Sequence, residues 1–426
     1  MAGGQTSGIG EMWRHKRVLA ASLIGTAVEF YDFYIYATAA SLIFPSLFFP
    51  ASSPSAQLMA SYGSLALAFF ARPLGAAIFG HYGDRVGRKA TLVTSLMLMG
   101  GCTLLIGFLP THAQIGWWAP LILCLLRFGQ GLGLGGEWGG AALLAVENAP
   151  PGWRARFGMF PQLGAPVGFI AANGLFLLLA IFLSDADFLA WGWRLPFLGS
   201  AVLVFLGLWV RLKLSETPEF AAAKAESPPP AVPLATLLSS HLGAAIAGTF
   251  ACAACFAVYY IATAFALGYG TTALKIDRGV FLSLQLGAIL FMAASIVLAG
   301  WWADRSSPTR VLAWGCAGTI VMGIAFGPMI GTGALLPILA ILSLALFLMG
   351  FVYGPLGAYL PSLFPIQLRY TGSSFAFNLG GIIGGALAPI VATWLIAAQG
   401  VAIVGLYMSG AAAISLAGLW WTSRNS

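Results

Sequence analysis

The sequence predicts an all-α membrane protein in which twelve transmembrane helices form two pseudo-symmetric six-helix bundles. Three observations lead to this fold class: an apolar composition, twelve apolar runs of membrane-spanning length, and a charged turn that occurs twice. Of the 426 residues, 59% are hydrophobic and 8% are charged, and the mean hydropathy is +0.90. Because a typical soluble domain carries about 25% charged residues, lipid rather than water is the main solvent of this chain.

Each of the twelve apolar runs is long enough to cross the hydrocarbon core of a bilayer as a helix, which takes about 20 residues. The runs show no apolar–polar alternation, so we expect helices and not the strands of a closed barrel. The predicted spans are 18–44, 56–80, 90–110, 118–147, 156–183, 193–213, 237–268, 279–303, 310–331, 335–362, 371–397 and 400–422.

Two repeats indicate that the chain consists of two related halves. The charged turn GHYGDRVGRK at 80–89 is answered by GWWADR at 300–305, and PQLG at 161–164 is answered by FNLG at 377–380. Internal duplication of helical halves is common in secondary transporters, and the polar, proline-rich interval between the halves reads as a linker. The predicted divisions are a cytoplasmic N-terminal segment 1–17, a first bundle 18–213, a cytoplasmic linker 214–236, a second bundle 237–422 and a tail 423–426.

The distribution of lysine and arginine predicts the orientation of the helices. If the amino terminus is cytoplasmic, the opposite side carries only Arg194, Lys275 and Arg278, and the other basic residues at helix ends are cytoplasmic. This asymmetry follows the positive-inside rule, and it puts both termini in the cytoplasm. It also explains the net charge of +7, so we expect no nucleic-acid partner.

The five cysteines all fall within predicted helices, where we expect them to pack against neighbouring helices. Cys252 and Cys255 have the spacing of a redox motif but lack its strand–helix context. The sequence shows no metal-ligand cluster and no set of nucleophile and base. We therefore expect neither a cofactor nor a metal, and we do not expect an enzyme.

Five ionisable residues fall inside predicted helices of the first half: Glu29, Asp32, Arg72, Arg127 and Glu137. A central charge costs about 2.5–3.5 kcal/mol on insertion, so such residues usually pair with one another or serve a function. Burial favours the protonated form of a carboxylic acid, whereas a neighbouring arginine favours the carboxylate. We therefore predict that Asp32 carries a proton and that Arg127 is its switching partner, with Glu29 or Glu137 tuning the pair.

The alternative is a permanent Asp32–Arg127 ion pair that only fixes the first span to the fourth. Glu137 lies among glycines, and a structural role beside Arg72 or helix-end amides is also open for it.

Polar and aromatic residues within the spans are candidates for the substrate site. An arginine can hold a carboxylate bidentately, and tyrosines offer both ring faces and hydroxyls; ordinary packing in the bundle core is the alternative role for the tyrosines. The predicted substrate-binding residues are Arg72, Tyr31, Tyr36, Gln130, Gln162, Tyr259, Tyr260, Gln285, Tyr353 and Asn378.

The repeated charged turn predicts a conformational latch, because an aspartate can oppose the positive end of a nearby helix. The alternative is a basic loop that only sets topology. The predicted latch residues are Gly80, Asp84, Arg85, Arg88, Lys89, Asp304 and Arg305.

Several motifs resemble the metabolite:proton symporters of the major facilitator superfamily. They are GTAVEFYDFY at 25–34, ARPLG at 71–75, the turn at 80–89, RFGQG at 127–131, GGEWGG at 135–140 and PIQLRYTG at 365–372. The resemblance implies twelve helices in two bundles, alternating access and a location in the bacterial inner membrane. It also implies symport of a small organic acid or zwitterion with protons, and similarity to proton-coupled sugar porters supports the Asp32–Arg127 assignment.

We therefore expect a monomeric, proton-coupled symporter whose partners are a small-molecule substrate, the proton and the lipid bilayer. A proton-coupled efflux antiporter is an alternative, because Gly164-Ala165-Pro166 comes close to the Gly-Pro motif of drug antiporters. A non-transporting membrane sensor is the alternative from a different class.

Overall fold

The fold was analysed in a computed structural model. The structure describes residues 8–50, 53–86, 88–135, 137–213 and 233–425, and the side chains at 8, 9, 11, 80–92, 210–213, 233 and 423–425 also lie outside the description. Twelve long helices lie within the described residues. They are α1 Lys16–Leu42, α2 Pro54–Val86, α3 Arg88–Phe108, α4 Trp118–Leu134 continued by Glu137–Glu147, α5 Arg154–Phe182, α6 Arg194–Lys213, α7 Leu242–Tyr260 continued by Ile261–Phe265 and Ala266–Thr272, α8 Arg278–Arg305, α9 Pro308–Ile330, α10 Leu335–Tyr353 continued by Leu356–Ser362, α11 Arg369–Gly381 continued by Ile382–Ala386 and Ala388–Gln399, and α12 Ala402–Asn425.

The predicted spans are confirmed to within a few residues at most boundaries. In the described part of the chain, 10 helices have the length and composition to cross a membrane. Asp185–Gly192 and Arg194–Trp209 form a further span bent by 45°, and Val93–Phe108 is a shorter apolar helix. Together these account for the twelve predicted spans.

Three boundaries differ from the prediction. The second span, predicted to end at 80, continues as helix to Val86. The span predicted to begin at 237 begins at Leu242, because Pro233–Ser240 forms a short helix of its own. The charged sequence at 300–305 was predicted as a turn but is the last turn of α8, and the chain leaves the helix only at Ser306. Ser307 then caps α9 by accepting a hydrogen bond from the Arg310 backbone N–H, with Pro308 at the first helical position.

Small residues bring the helices of the first half into close contact. Gly131 and Gly135 of α4 lie against the backbone of α2 at Ala68 and Arg72, where an added Cβ would collide with main-chain atoms. Without side chains at these positions the two helices approach closely. This approach holds the turn that carries Arg72 against α4.

The two halves meet chiefly along α5 with α8 and along α2 with α11. We call the end of the bundle at which α1 begins the inner end, since the sequence predicts it to be cytoplasmic, and the opposite end the outer end. At the inner end, Asn378 of α11 donates to the Gly135 carbonyl of α4 at 2.9 Å, and Trp138 stacks on Phe377 with centroids 3.8 Å apart. The halves are therefore in contact at the inner end.

The halves also touch at the outer end. Ser41 and Tyr62 of the first half both donate to the Ala264 carbonyl, at 3.0 and 2.7 Å. This carbonyl belongs to the π-helical segment Ile261–Phe265 of α7. Contacts at both ends make this a closed conformation of the bundle.

Candidate proton and substrate site

The five predicted ionisable residues of the first half are all buried. Glu29 and Asp32 lie one helical turn apart on α1, Arg72 lies on α2, and Arg127 and Glu137 lie on the two segments of α4. Their exposed fractions are 7% or less, and those of Asp32 and Arg127 are 1% and 0%. Such burial of charge within a bundle indicates mutual interaction or function.

A chain of side-chain hydrogen bonds links Asp32 to Arg127. The Thr103 hydroxyl of α3 lies 3.1 Å from Asp32 Oδ2, Gln130 Nε2 donates to Thr103 Oγ1 at 2.7 Å, and Arg127 Nη1 donates to Gln130 Oε1 at 2.9 Å. Thr103 Oγ1 also lies 3.0 Å from the Met99 carbonyl. Among the described residues, Asp32 Oδ1 has no hydrogen-bond partner. Asp32 and Arg127 are thus connected through two neutral side chains, without the direct ion pair that the sequence suggested.

Arg127 is held mainly by aromatic rings. Its guanidinium lies 4.2 Å from the Phe33 centroid and 4.0 Å from the Tyr36 centroid. Its Nε and Nη2 are buried and have no hydrogen-bond partner in the described part of the chain. Cation–π contact offsets part of the desolvation of the charge, and two N–H directions of Arg127 remain available for a carboxylate.

Arg72 approaches the same phenylalanine ring. Its guanidinium lies 4.5 Å from the Phe33 centroid and 4.8 Å from the Phe69 centroid, and its Nε lacks a hydrogen-bond partner among the described atoms. Glu29 is an electrostatic neighbour of Arg72. Two buried guanidiniums around one ring form a positive centre near the middle of the molecule.

Glu137 belongs to the α3–α4 contact. The Ser95 hydroxyl of α3 donates to Glu137 Oε1 at 2.6 Å, and Glu137 acts electrostatically on Asp32. A partner on α3 was not foreseen, since the sequence suggested Arg72 or helix-end amides.

A small cavity lined by neutral residues lies between the two halves. Its volume is about 10 Å³, room for about one water molecule and far below the roughly 300–1,000 Å³ of ligand sites. Its lining includes the predicted residues Tyr259 and Gln285 together with Tyr34, Thr38 and Asn173. Admission of a substrate to this cavity therefore requires the halves to separate.

The two predicted residues at the cavity, Tyr259 and Gln285, differ in their hydrogen bonding. Tyr259 stacks on Tyr34 with centroids 5.1 Å apart, and its hydroxyl is buried without a hydrogen-bond partner among the described residues. Gln285 Nε2 donates to the carbonyls of Ala262 and Thr263 at 3.1 and 2.8 Å. Both carbonyls lie in the π-helical segment of α7.

Tyr260 and Tyr353 lie close to the charged residues. The Tyr260 ring meets those of Phe33 and Phe69 edge to face, with centroids 6.0 and 5.3 Å apart. Tyr353 is an electrostatic neighbour of Arg72, and its hydroxyl lacks a hydrogen-bond partner within the described chain.

Other predicted substrate residues make contacts elsewhere. The Tyr31 hydroxyl donates to the Pro196 carbonyl of α6 at 2.9 Å, and the Tyr36 hydroxyl donates to Ser64 at 2.7 Å. Gln162 bridges the halves, donating to the Tyr353 carbonyl at 2.7 Å and accepting from Trp138 Nε1 at 3.0 Å. Asn378 and Gln130 make the contacts described above, so the structure does not bring these five residues to the cavity lining.

Asp304, from the second charged sequence, contacts the first half at the inner end, and its role as a latch stays a prediction. Its two carboxylate oxygens accept from the backbone N–H groups of Ala155 and Arg156, at 2.8 and 3.0 Å, and Arg156 Nε lies 3.3 Å from Oδ2. These N–H groups belong to the first turn of α5, where a negative charge is stabilised. Arg305 lies over the Trp301 ring at 3.8 Å.

For the first charged sequence, at 80–89, the structure describes the backbone of the predicted latch residues but not their side chains. The backbone of Gly80, Asp84 and Arg85 lies in α2, and that of Arg88 and Lys89 opens α3. The side chains of these latch residues lie outside the described part of the structure, so their role stays a prediction.

The comparisons with known proteins decide the family. A family model described as "Sugar (and other) transporter" matches residues 18–230. The inner membrane metabolite transport protein YhjE of Escherichia coli is 49% identical over 95% of this chain and 93% of its own length. The chain belongs to the sugar (and other) transporter family of the major facilitator superfamily.

Further similarities agree with this assignment. The shikimate transporter of Escherichia coli is 36% identical over 90% of this chain and 88% of its own length. The xylose transporter XylE of Escherichia coli, in a partially occluded inward-open conformation, superposes with a TM-score of 0.71 at 15% identity, covering 95% of this chain and 98% of that chain. The predicted twelve-helix fold is thereby confirmed. The protein is a multi-pass secondary transporter and not an enzyme.

The sequence did not single out Thr103, Tyr34, Thr38 and Asn173. All four are buried, and each is an ordinary residue for an apolar helix. For Thr38 and Asn173, which hydrogen-bond to each other between α1 and α5, a polar residue midway along a span was the available signal.

Proposed function

We propose that this transporter is a proton-coupled symporter for a small organic acid or zwitterionic metabolite. One observation carries the proposal: two buried guanidiniums with unused N–H groups, those of Arg72 and Arg127, flank the Phe33 ring, and Arg127 is connected through Gln130 and Thr103 to the buried carboxyl group of Asp32. Guanidinium groups recognise carboxylates through paired hydrogen bonds. The shikimate transporter of Escherichia coli, a protein named for a carboxylic acid, is among the relatives of this chain.

Proton coupling follows from the state of Asp32. In the closed conformation its one hydrogen-bond partner among the described residues is a neutral hydroxyl, and Arg127 is two side chains away. A buried carboxylate without a counter-charge is costly, so this arrangement suits the protonated acid. Movement of Arg127 towards Asp32 would favour the carboxylate and release the proton, with Arg127 then no longer free for the substrate.

Alternating access would open one end at a time. The inner contact of Asp304 with α5 has an outer counterpart, an ion pair between Arg278 and Asp185 at 2.8 Å. The inner pair joins α5 to the end of α8, and the outer pair joins the short helix Asp185–Asp187 after α5 to the start of α8. Each pair must then break in a different half of the cycle. The protein then acts as a monomer in a bacterial inner membrane with both termini cytoplasmic, as the basic residues suggest.

Reconstitution tests this proposal. The purified protein is first screened for thermal stabilisation by organic acids, amino acids and betaines, since a ligand of the folded state raises the melting temperature. Proteoliposomes should then accumulate the hit when the outside is made acidic, and an Asp32→Asn variant should exchange substrate but not accumulate it. Accumulation by Asp32→Asn would contradict proton coupling through this residue. Substrate-driven proton movement in the opposite sense to the substrate would indicate an antiporter.

A further inference from the structure

Thr103 is the one side chain that contacts Asp32 by a hydrogen bond in the described part of the chain, and it has more neighbours than its single hydrogen can serve. Its Oγ1 lies within hydrogen-bond distance of Asp32 Oδ2 and of the Met99 carbonyl, and it accepts from Gln130 Nε2. A threonine hydroxyl has one hydrogen to donate and two lone pairs to accept with. The two acceptors therefore compete for one hydrogen.

This competition has two solutions, one for each protonation state of Asp32. With Asp32 ionised, Thr103 donates to Oδ2 and accepts from Gln130. With a proton from water bound to Oδ2, Asp32 becomes the donor to Thr103 Oγ1, and the Thr103 hydrogen turns to the Met99 carbonyl. The bond from Gln130 is kept in both states, and so is the bond of Gln130 to Arg127 Nη1.

We propose that Thr103 is a positioning residue of proton coupling, a hydroxyl that satisfies both the acid and the carboxylate of Asp32 by rotation about one bond. The inference deepens the proposed function, because it takes Asp32 as the proton carrier. Exchange of the proton then requires no rearrangement of α3 or α4 while the halves are closed. Gln130, fixed in both states, keeps Arg127 on the rings of Phe33 and Tyr36.

The groups around Asp32 set the background for this role. Arg127 and Glu137 of α4 act on it electrostatically, and so does Tyr31 of α1 itself, whereas α3 faces it with the Thr103 hydroxyl. Glu137 is held by Ser95, independently of Thr103. A change at Thr103 therefore leaves Glu137 in place and alters both the direct partner of Asp32 and the acceptor of Gln130, and Thr103→Ser keeps both contacts.

The test is an infrared titration of the purified full-length protein in nanodiscs. The carbonyl stretch of a protonated carboxyl group reports Asp32 directly, and its loss in Asp32→Asn assigns the band. In Thr103→Val the Asp32 carboxylate loses a charge-assisted hydrogen bond, whereas protonated Asp32 loses a weaker neutral one. The protonated form therefore becomes more stable relative to the carboxylate. We expect the midpoint of the band to move up by about one pH unit, and Thr103→Ser to restore it.

Thr319→Val is the matched control, since Thr319 is a buried threonine of α9 that donates to the Gly315 carbonyl far from this carboxyl. The proton-driven uptake of Thr103→Val should shift its half-maximal pH in the same direction. Thr103→Ala carries the same expectation if Thr103→Val does not fold. An unchanged midpoint in the valine or alanine variant, with the band still removed by Asp32→Asn, overturns the role of Thr103 alone. A titration indifferent to Asp32→Asn overturns it together with the proposed proton carrier.

Discussion

The two halves of the molecule share a fold but differ in the kind of polar group that they bury. In the described chain, the charged residues buried away from the helix ends all lie in the first half, and apart from Asp304 at the inner end the buried polar side chains of the second half are neutral. The first-half set is Glu29, Asp32, Arg72, Arg127 and Glu137, and the second-half set facing it includes Tyr259, Tyr260, Gln285 and Tyr353. A duplicated bundle has thus kept its helix arrangement while the charged residues of its interior are confined to one copy. Substitutions in the two halves should therefore impair transport in different ways.

The largest effect should come from Arg127. Replacing it by glutamine removes the cation that would balance the Asp32 carboxylate when the proton leaves, and a buried charge left without its partner costs about 3–5 kcal/mol. We expect proton-driven uptake to fall by about 100-fold or more, measured as the initial rate in proteoliposomes of equal protein content. Arg310→Gln, at the start of α9, is the control for loss of a basic residue. Uptake near that of the unaltered protein would remove Arg127 from the coupling mechanism.

The inner contact should respond next most strongly. In Asp304→Asn one carboxylate oxygen is replaced by an amide, so hydrogen bonds from the start of α5 lose their charge assistance and the Arg156 pair is lost. Hydrogen bonds to charged groups exceed neutral ones by about 1–1.5 kcal/mol, which moves the equilibrium about tenfold towards opening at the inner end. Spin-label distances between the inner ends of α5 and α8 measure this shift, and Asp187→Asn at the outer end should leave them unaltered. A distance distribution insensitive to Asp304→Asn would reduce this contact to simple packing.

A change in the second half should alter the affinity for substrate without altering the pH dependence of uptake. Gln285→Met removes an amide at the cavity and leaves two α7 carbonyls without their donor. We expect the substrate dissociation constant to rise by about two- to tenfold, the value of one ordinary hydrogen bond, with the pH profile of uptake unchanged. Binding isotherms at several pH values provide the measurement. A pH profile displaced as in the Thr103 variants would show that the halves do not divide the chemistry as described.

The smallest effect should come from the outer ion pair. Asp185 is 90% exposed where it meets Arg278, and exposed ion pairs contribute about 0–1 kcal/mol. Asp185→Asn should therefore shift the equilibrium towards opening at the outer end by less than about fivefold, and added salt should shift the unaltered protein in the same direction. The reporter is the spin-label distance between the outer ends of α5 and α8. An effect larger than that of Asp304→Asn would invert the order expected for the two ends.

The spans could be predicted because a bilayer demands long apolar helices, and the charges within them stand out for the same reason. Asp32 and Arg127 were both found in this way, but their connection was not. Whether two ionisable side chains on different helices touch depends on the rotation of each helix and on side-chain rotamers, which no spacing records. Thr103 and Gln130 fill the gap between them, and a threonine in an apolar run carries no signal in composition. On α7, the π-helical segment after Tyr260 changes the angular relation between residues on either side of it, so a regular helical wheel does not apply there.

The π-helical segment Ile261–Phe265 also limits which substitutions can alter the contact at the outer end, because it contributes a backbone carbonyl. The acceptor shared by Ser41 and Tyr62 is the main-chain oxygen of residue 264, which every amino acid supplies. Changes of side chain at 264 therefore leave the acceptor in place, whereas loss of either hydroxyl removes a bond outright. Substitutions that alter this outer contact, whether by selection or by design, therefore have to be made on α1 or α2, which carry Ser41 and Tyr62.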